Sequence, residues 1–147
     1  MGIKVRGIQA SKQGLDALVS DIEGRRAPRA VMAAAMNIGS ATAVLTPIDT
    51  STLINSQFRE LMVNGTMVTG RVGYSADYAV YVHNAPGKLK GKPRSGVKSF
   101  KTSSGKVAFA SDQGNFWDPH AEPHFLTKGA ENAKDAVIAV VHKEMSR

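Results

Sequence analysis

The sequence predicts an α+β fold: a two-layer body with N- and C-terminal helices on one face of an antiparallel sheet, plus a long basic loop or hairpin arm. Three observations predict it. Apolar residues recur at helical spacing toward both ends of the chain. An Asn-Gly step separates two strand-like runs in the middle. A stretch rich in Gly, Pro, Ser and Lys follows them. At 147 residues this is one domain's worth of chain, 1–147, with 84–116 as the arm.

Ile3 to Ile8 alternates apolar and basic residues and reads as a short strand. Ser11 is a candidate N-cap for a helix carrying Leu15, Leu18, Val19 and Ile22 on one face and ending near Gly24. A second helix opens at Ala27-Pro28, since proline is tolerated in a first turn. Val31, Ala34, Ala35, Ile38, Ala41, Thr42 and Leu45 give it a continuous face whose alanines allow close approach. Gly39 in its middle costs about 1 kcal/mol against alanine, which implies close packing or a bend. Pro47 stops it.

TPIDTSTLINS, residues 46–56, crowds turn formers together, with Asp49, Thr50 or Ser51 able to cap a helical turn through Leu53-Ile54. Gln57–Val63 and Thr66–Tyr74 then flank Asn64-Gly65, a hairpin signal because a type I′ turn needs positive φ at both positions. That turn would set Leu61 opposite Val68 and Met62 opposite Met67. Both faces of the hairpin carry apolar residues, one for the helices and one for a partner. Ser75–His83 suits a helical turn or a strand. The stretch 84–116 is a mobile arm, or a long hairpin of Val97–Lys101 and Lys106–Ser111 around Ser103-Ser104-Gly105. Phe125 to Met145 closes the chain as a helix with Leu126, Ala130, Ala133, Val137, Val140 and Val141 on one face.

Composition bounds the function. Hydrophobic residues make up 42%, enough for one core. No apolar run has the length of a membrane span, and the N-terminus carries no apolar segment of the kind that directs secretion, so no membrane partner is expected. The absence of cysteine removes disulfides and thiolate chemistry. The formal charge is +7, and it has one source. Lys88, Lys90, Lys92, Arg94, Lys98, Lys101 and Lys106 lie in a stretch with no acidic residue between Asp77 and Asp112; setting those seven aside from the 19 basic residues leaves 12, equal to the 12 acidic ones. Such a segment can meet phosphate or an acidic protein surface, and its Gly and Ser content suits ordering on assembly. Phe100 alone is interleaved, too little for a base-stacking platform.

WDPHAEPHFL, residues 117–126, sets Asp118, His120, Glu122 and His124 at alternate positions, so an extended segment would point all four one way. Asp118, His120 and His124 are thus metal candidates. Pro119 and Pro123 oppose a helix, and residues two apart in a strand are separated by roughly 6–7 Å, so the segment would have to curl tightly around one ion. The competing reading is a proline-rich lead-in that seats Phe125 and Leu126 at a helix start. There is no HExxH, no GxSxG elbow and no phosphate-binding glycine loop.

The order of motifs resembles that of the small tail-completion and head–tail joining (neck) proteins of long-tailed double-stranded-DNA phages, the minor tail protein Z type. Pro47, Asp49, Thr50, Leu53 and Ser56 fall on the family's P-x-D-T-G-x-L-x-x-S segment, with Ser51 where glycine is usual. Tyr78-Ala79-Val80-Tyr81-Val82-His83 is similar to its Tyr-Ala stretch, although Asn84-Ala85-Pro86-Gly87 replaces the usual acidic-Gly-Thr. Pro123-His124-Phe125-Leu126, with Ala130, resembles its P-x-F-L helix start. The resemblance implies a non-enzymatic virion protein of the head–tail junction, made in the host cytoplasm and using no cofactor. It implies a ring, hexameric or similar, that joins other neck and tail proteins such as an adaptor, a tail terminator or the tube. It allows contact between the basic arm and channel DNA. The rival is a nucleic-acid-binding protein gripping phosphate with residues 88–106; a third reading is a hydrolase using a metal at Asp118, His120 and His124. Deleting Lys88–Lys106 is expected to spare the fold and impair assembly.

Overall fold

The structure, a computed structural model, describes residues 7–96, 98–101, 105, 107–108, 110–111 and 114–147. The expected strand at Ile3–Ile8 lies outside them except at its end, where Gly7 takes φ 96° and Ile8 already opens a helix. Helix α1 runs Ile8–Asp21, a π turn spans Ile22–Arg26, and α2 runs Ala27–Leu45, so the first two expected helices form one rod. Ser11 is not its cap; the Ser11 amide already donates to Gly7 O at 2.9 Å. Gly24 does not end the helix either. Pro28 has no N–H for the Gly24 carbonyl, and the wide turn before it lets the rod pass without a break. Asp21 staples that turn, accepting from Arg25 Nε at 2.7 Å and Arg26 Nε at 2.5 Å, and these bonds hold its carboxyl down at about 2. Arg26 also donates to Met145 O at 2.9 Å, tying the turn to the end of the chain.

Helix α2 is the element on which the rest packs. It ends where Thr46 turns extended, ψ 127°, as the residue before Pro47 must. Helix α3 is the single turn Thr52–Asn55. Strands β1, Gln57–Asn64, and β2, Met67–Tyr74, form the antiparallel hairpin. Its register differs from the expected one. Asn64 pairs with Met67, Leu61 with Gly70 and Met62 with Thr69, so the turn is centred on Gly65-Thr66. Gly65 alone has positive φ, 61°, where a type I′ turn at Asn64-Gly65 needed two such residues. Helix α4 spans Ala79–Asn84, which resolves Ser75–His83 in favour of helix.

The arm is a hairpin with short strands, β3 at Phe100–Lys101 and β4 at Val107–Ala108. Val97, Ser103, Ser104 and Lys106, named for the expected hairpin, lie outside the described residues. Its base is an antiparallel seam: Arg94 N donates to Asn115 O at 2.8 Å and Trp117 N to Lys92 O at 3.0 Å, with Pro93 bridged to Phe116. The final helix divides into α5, Phe125–Asn132, and α6, Lys134–Met145, at Ala133. The amide chain continues across the step, with Val137 N on Ala133 O at 2.8 Å.

The α+β class and the antiparallel pairing are those expected. The packing is more specific: α2 contacts both hairpin strands and both C-terminal helices. Small residues make this possible. A Cβ on Gly129 would lie 2.6 Å from Thr42 Cα, and one on Gly39 would lie 2.1 Å from Arg59 Nε. Close packing, not a bend, therefore accounts for Gly39. Beneath the hairpin, Gln57 Nε2 donates to Gly39 O at 2.9 Å and to the Tyr74 hydroxyl at 2.8 Å. The Tyr74 hydroxyl meets Thr46 Oγ1 at 2.5 Å, and the buried Thr42 hydroxyl donates to Ile38 O at 2.6 Å. Among the described residues no helix is long and apolar enough to cross a membrane.

Candidate functional site

Three segments distant in sequence meet at one end of α2. Leu53 from α3, Ala79 from α4 and Phe125 from α5 form one buried cluster, with Leu45, Tyr74, Ala76, Val82 and Leu126 packed against it. Phe125 is 1% exposed, and its ring meets Tyr74 and His83 edge-on, each at 5.2 Å between centroids. Burying such a ring stabilises the junction by about 1.5–3 kcal/mol.

The turn at 46–56 reaches the cluster through a strained residue. Ser51 sits in the left-handed region, φ 58°, a conformation that favours glycine. No side chain caps α3. Thr50 Oγ1 lies 2.9 Å from Thr52 Oγ1, and Ser56 Oγ donates to Leu53 O at 2.6 Å, closing the helical turn. Asp49 does not bond the turn amides. Its carboxylate is taken by Arg94, with Nη1 on Oδ2 at 3.1 Å and Nη2 on Oδ1. The guanidinium holds Asp49 below the ordinary carboxylate range against the opposing effect of burial. The amide work falls instead to Asp118, 7% exposed, whose Oδ2 accepts from Ile48 N and Oδ1 from His120 N, both at 2.8 Å.

WDPHAEPHFL is therefore a seam. Glu122 N donates to Leu45 O at 3.1 Å and His124 N to His83 O at 2.8 Å, so the segment ties α2, α4 and α5 together. Among the described residues no three His, Asp or Glu side chains gather as a metal site requires, and Asp118, His120 and His124 are not brought to one point. His124, φ 54°, is instead the residue before α5, its ring 5.2 Å from that of His83. Burial first, and the neighbouring His124 second, hold His83 below its usual pKa. Glu122 pairs with Lys90 and, at 2.9 Å, with Lys128, which hold its carboxyl down at about 2. Pro123 packs on Gly87, where a Cβ would lie 2.8 Å from Pro123 Cγ and where φ is +71°. Leu126 is half-buried beside Phe125.

The second motif contributes less through its tyrosines than through Ala79 and Val82. Tyr81 is 80% exposed, while Tyr78 is 41% exposed, its hydroxyl pushed upward by burial against a lowering bond to Thr52.

The basic segment is not uniform. The Arg94 side chain is 6% exposed; besides Asp49 it donates to Ser111, and its guanidinium carbon stacks 4.5 Å over Trp117. It pins the base of the arm to the 46–56 turn. Lys90 is engaged by Glu122. Lys88, Lys92, Lys98 and Lys101 are exposed and form no ion pair among the described residues, while Lys106 lies outside them. Deleting Lys88–Lys106 would remove the Arg94 pin on the 46–56 turn along with the exposed lysines. Sequence reading counted Arg94 as one cation of seven. The available signal was its type: it is the one arginine among six lysines, and it follows Pro93.

The chain was compared with family models, with curated proteins and with solved structures, and it matches none of them.

Proposed function

We propose that the protein is a structural, non-enzymatic component of a phage head–tail junction, completing the tail or connector as part of a ring of copies. The observation that carries this reading is the convergence of the three motif segments: Leu53, Ala79 and Phe125 share one buried cluster although Leu53 and Phe125 lie 72 positions apart in the sequence. Segments that resemble a single family in sequence order also act as a single unit in space. Ser51 adds support, because its φ of 58° is what a position usually held by glycine demands. The arm, pinned at Arg94 and carrying exposed lysines beyond it, suits a neighbouring subunit, another neck protein or channel DNA.

The test is an image reconstruction of intact particles with the chain labelled. Density in the neck, in ring symmetry, is the expected result; absence from the particle sinks the proposal. The nucleic-acid-binding alternative draws on Lys88, Lys92, Lys98 and Lys101, which are exposed and form no ion pair among the described residues. It requires duplex-DNA affinity that falls steeply with salt, and no binding at low salt removes it.

A further inference from the structure

Helix α1 has no buried residue, yet it carries an apolar stripe: Ile8, Leu15, Leu18 and Val19 are exposed, Leu15 by 62%. Elsewhere on the chain an apolar groove of about 680 Å³ opens between α2 and the C-terminal helices, floored by Ile38, Leu126, Ala130 and Val137 and edged by Ile138, itself 48% exposed. We propose that α1 of one copy docks in this groove of a second copy, the head-to-tail contact from which a ring is built. The inference rests on the ring reading above and names the surfaces that would make it.

Three features select this occupant. The rod forbids the same chain from filling its own groove. Leu15 and Ile38 are 23 residues apart in one helical run, on the order of 35 Å along its axis, and α1 makes no substantial packing contact beyond the π turn. That turn is itself clamped by Asp21, Arg25 and Arg26 and tied to Met145, so α1 does not hinge back freely. Second, the charges match. Lys12 and Asp16 run along one edge of the stripe, Glu131 and Lys134 border the groove, and none of the four is in an ion pair among the described residues. Lys12 can face Glu131 while Asp16 faces Lys134. Third, donor and acceptor surfaces are different and occur once each per chain, so each copy can give a helix and receive one. Where the copies are related by a rotation other than a two-fold, such a contact closes into a ring or propagates as a filament.

The chain has no cysteine, so single introduced thiols report cleanly. Full-length Leu15→Cys and Ile138→Cys variants are mixed, oxidised, and compared with each variant oxidised alone. The mixture is expected to give disulfide-linked pairs at least tenfold above either variant alone, and the unmodified chain to be oligomeric by light scattering. Leu18→Asp is expected to yield monomers with an unchanged circular-dichroism spectrum. Pairs formed equally by Leu15→Cys alone, an internal disulfide in a monomeric double variant, or a monomeric unmodified chain each overturn the contact. Oligomers that survive Leu18→Asp overturn it too, while leaving the neck reading to the particle image. Conversely, a chain found outside the neck removes that reading and leaves the disulfide result standing.

Discussion

Helices α1 and α2 are two halves of one rod, and they treat their apolar residues in opposite ways. In α2 the buried positions are Ala30, Ala35, Gly39 and Thr42, all small. In α1 the large residues Ile8, Leu15, Leu18 and Val19 remain exposed. A hydrophobic stripe thus announces that a face wants covering, and it says nothing of what covers it. Small residues let the hairpin and the C-terminal helices reach the α2 backbone. Large ones on α1 are left exposed among the described residues.

The contrast can be broken at its strongest point first. Phe125→Ala, at the cluster against the end of α2, should cost about 3–5 kcal/mol in denaturant unfolding, whereas Leu15→Ala in the dilute monomer should change stability by less than about 0.5 kcal/mol. Equal costs would mean that α1 is packed after all. Next comes the pin beside α2. Asp49→Asn leaves the Arg94 charge buried without its carboxylate; because Asp49 itself is 44% exposed, the expected cost is discounted to about 1–3 kcal/mol. The pH dependence has a defined sign. The folded-state pKa of Asp49 is lowered, so its contribution is present above the usual carboxylate range and is lost as pH falls below that range through the depressed value. Thermal unfolding followed between neutral and acidic pH should be flatter for Asp49→Asn than for the unmodified chain. A pair of glycine substitutions, the second with the smallest effect, sharpens the comparison through sign. Gly129→Ala forces a Cβ to 2.6 Å from Thr42 Cα and should destabilise by about 1–3 kcal/mol, while Gly14→Ala in α1 meets nothing within 4 Å and should stabilise by about 0.5–1 kcal/mol. Both are read by the same unfolding midpoint, and matching signs would contradict the difference in packing.

What sequence could reveal divides along physical lines. The α2 face, the hairpin and the helix opened by Phe125 were legible because periodicity and turn chemistry act locally. The π turn was not, since Gly24 and Pro28 each look like a helix boundary and only the continuous rod shows them inside one. The junction was half legible. Leu53 and Phe125 lie on motif segments that share the cluster, but the carboxylates take roles other than those expected: Asp49, a candidate cap of the turn, pairs with Arg94, and Asp118, a metal candidate, bonds Ile48 N. Such roles depend on which distant segment arrives at a carboxylate, and spacing carries no information about that.

The polar cluster under the hairpin has one more consequence. Shifting β1 against β2 by two residues keeps every side chain on its face, so the apolar pattern tolerates both the observed pairing and the one with Leu61 opposite Val68. The hydrogen bonds do not. Gln57 and Tyr74 are direct partners across the strands, and together they engage Gly39 O and Thr46 Oγ1 on the adjoining helix. A two-residue slip would separate them by roughly 7 Å along the strand and leave a half-buried amide and hydroxyl without these partners. These few polar atoms remove a degeneracy that the hydrophobic pattern leaves open, and they give the chain one native alignment where it could have had two.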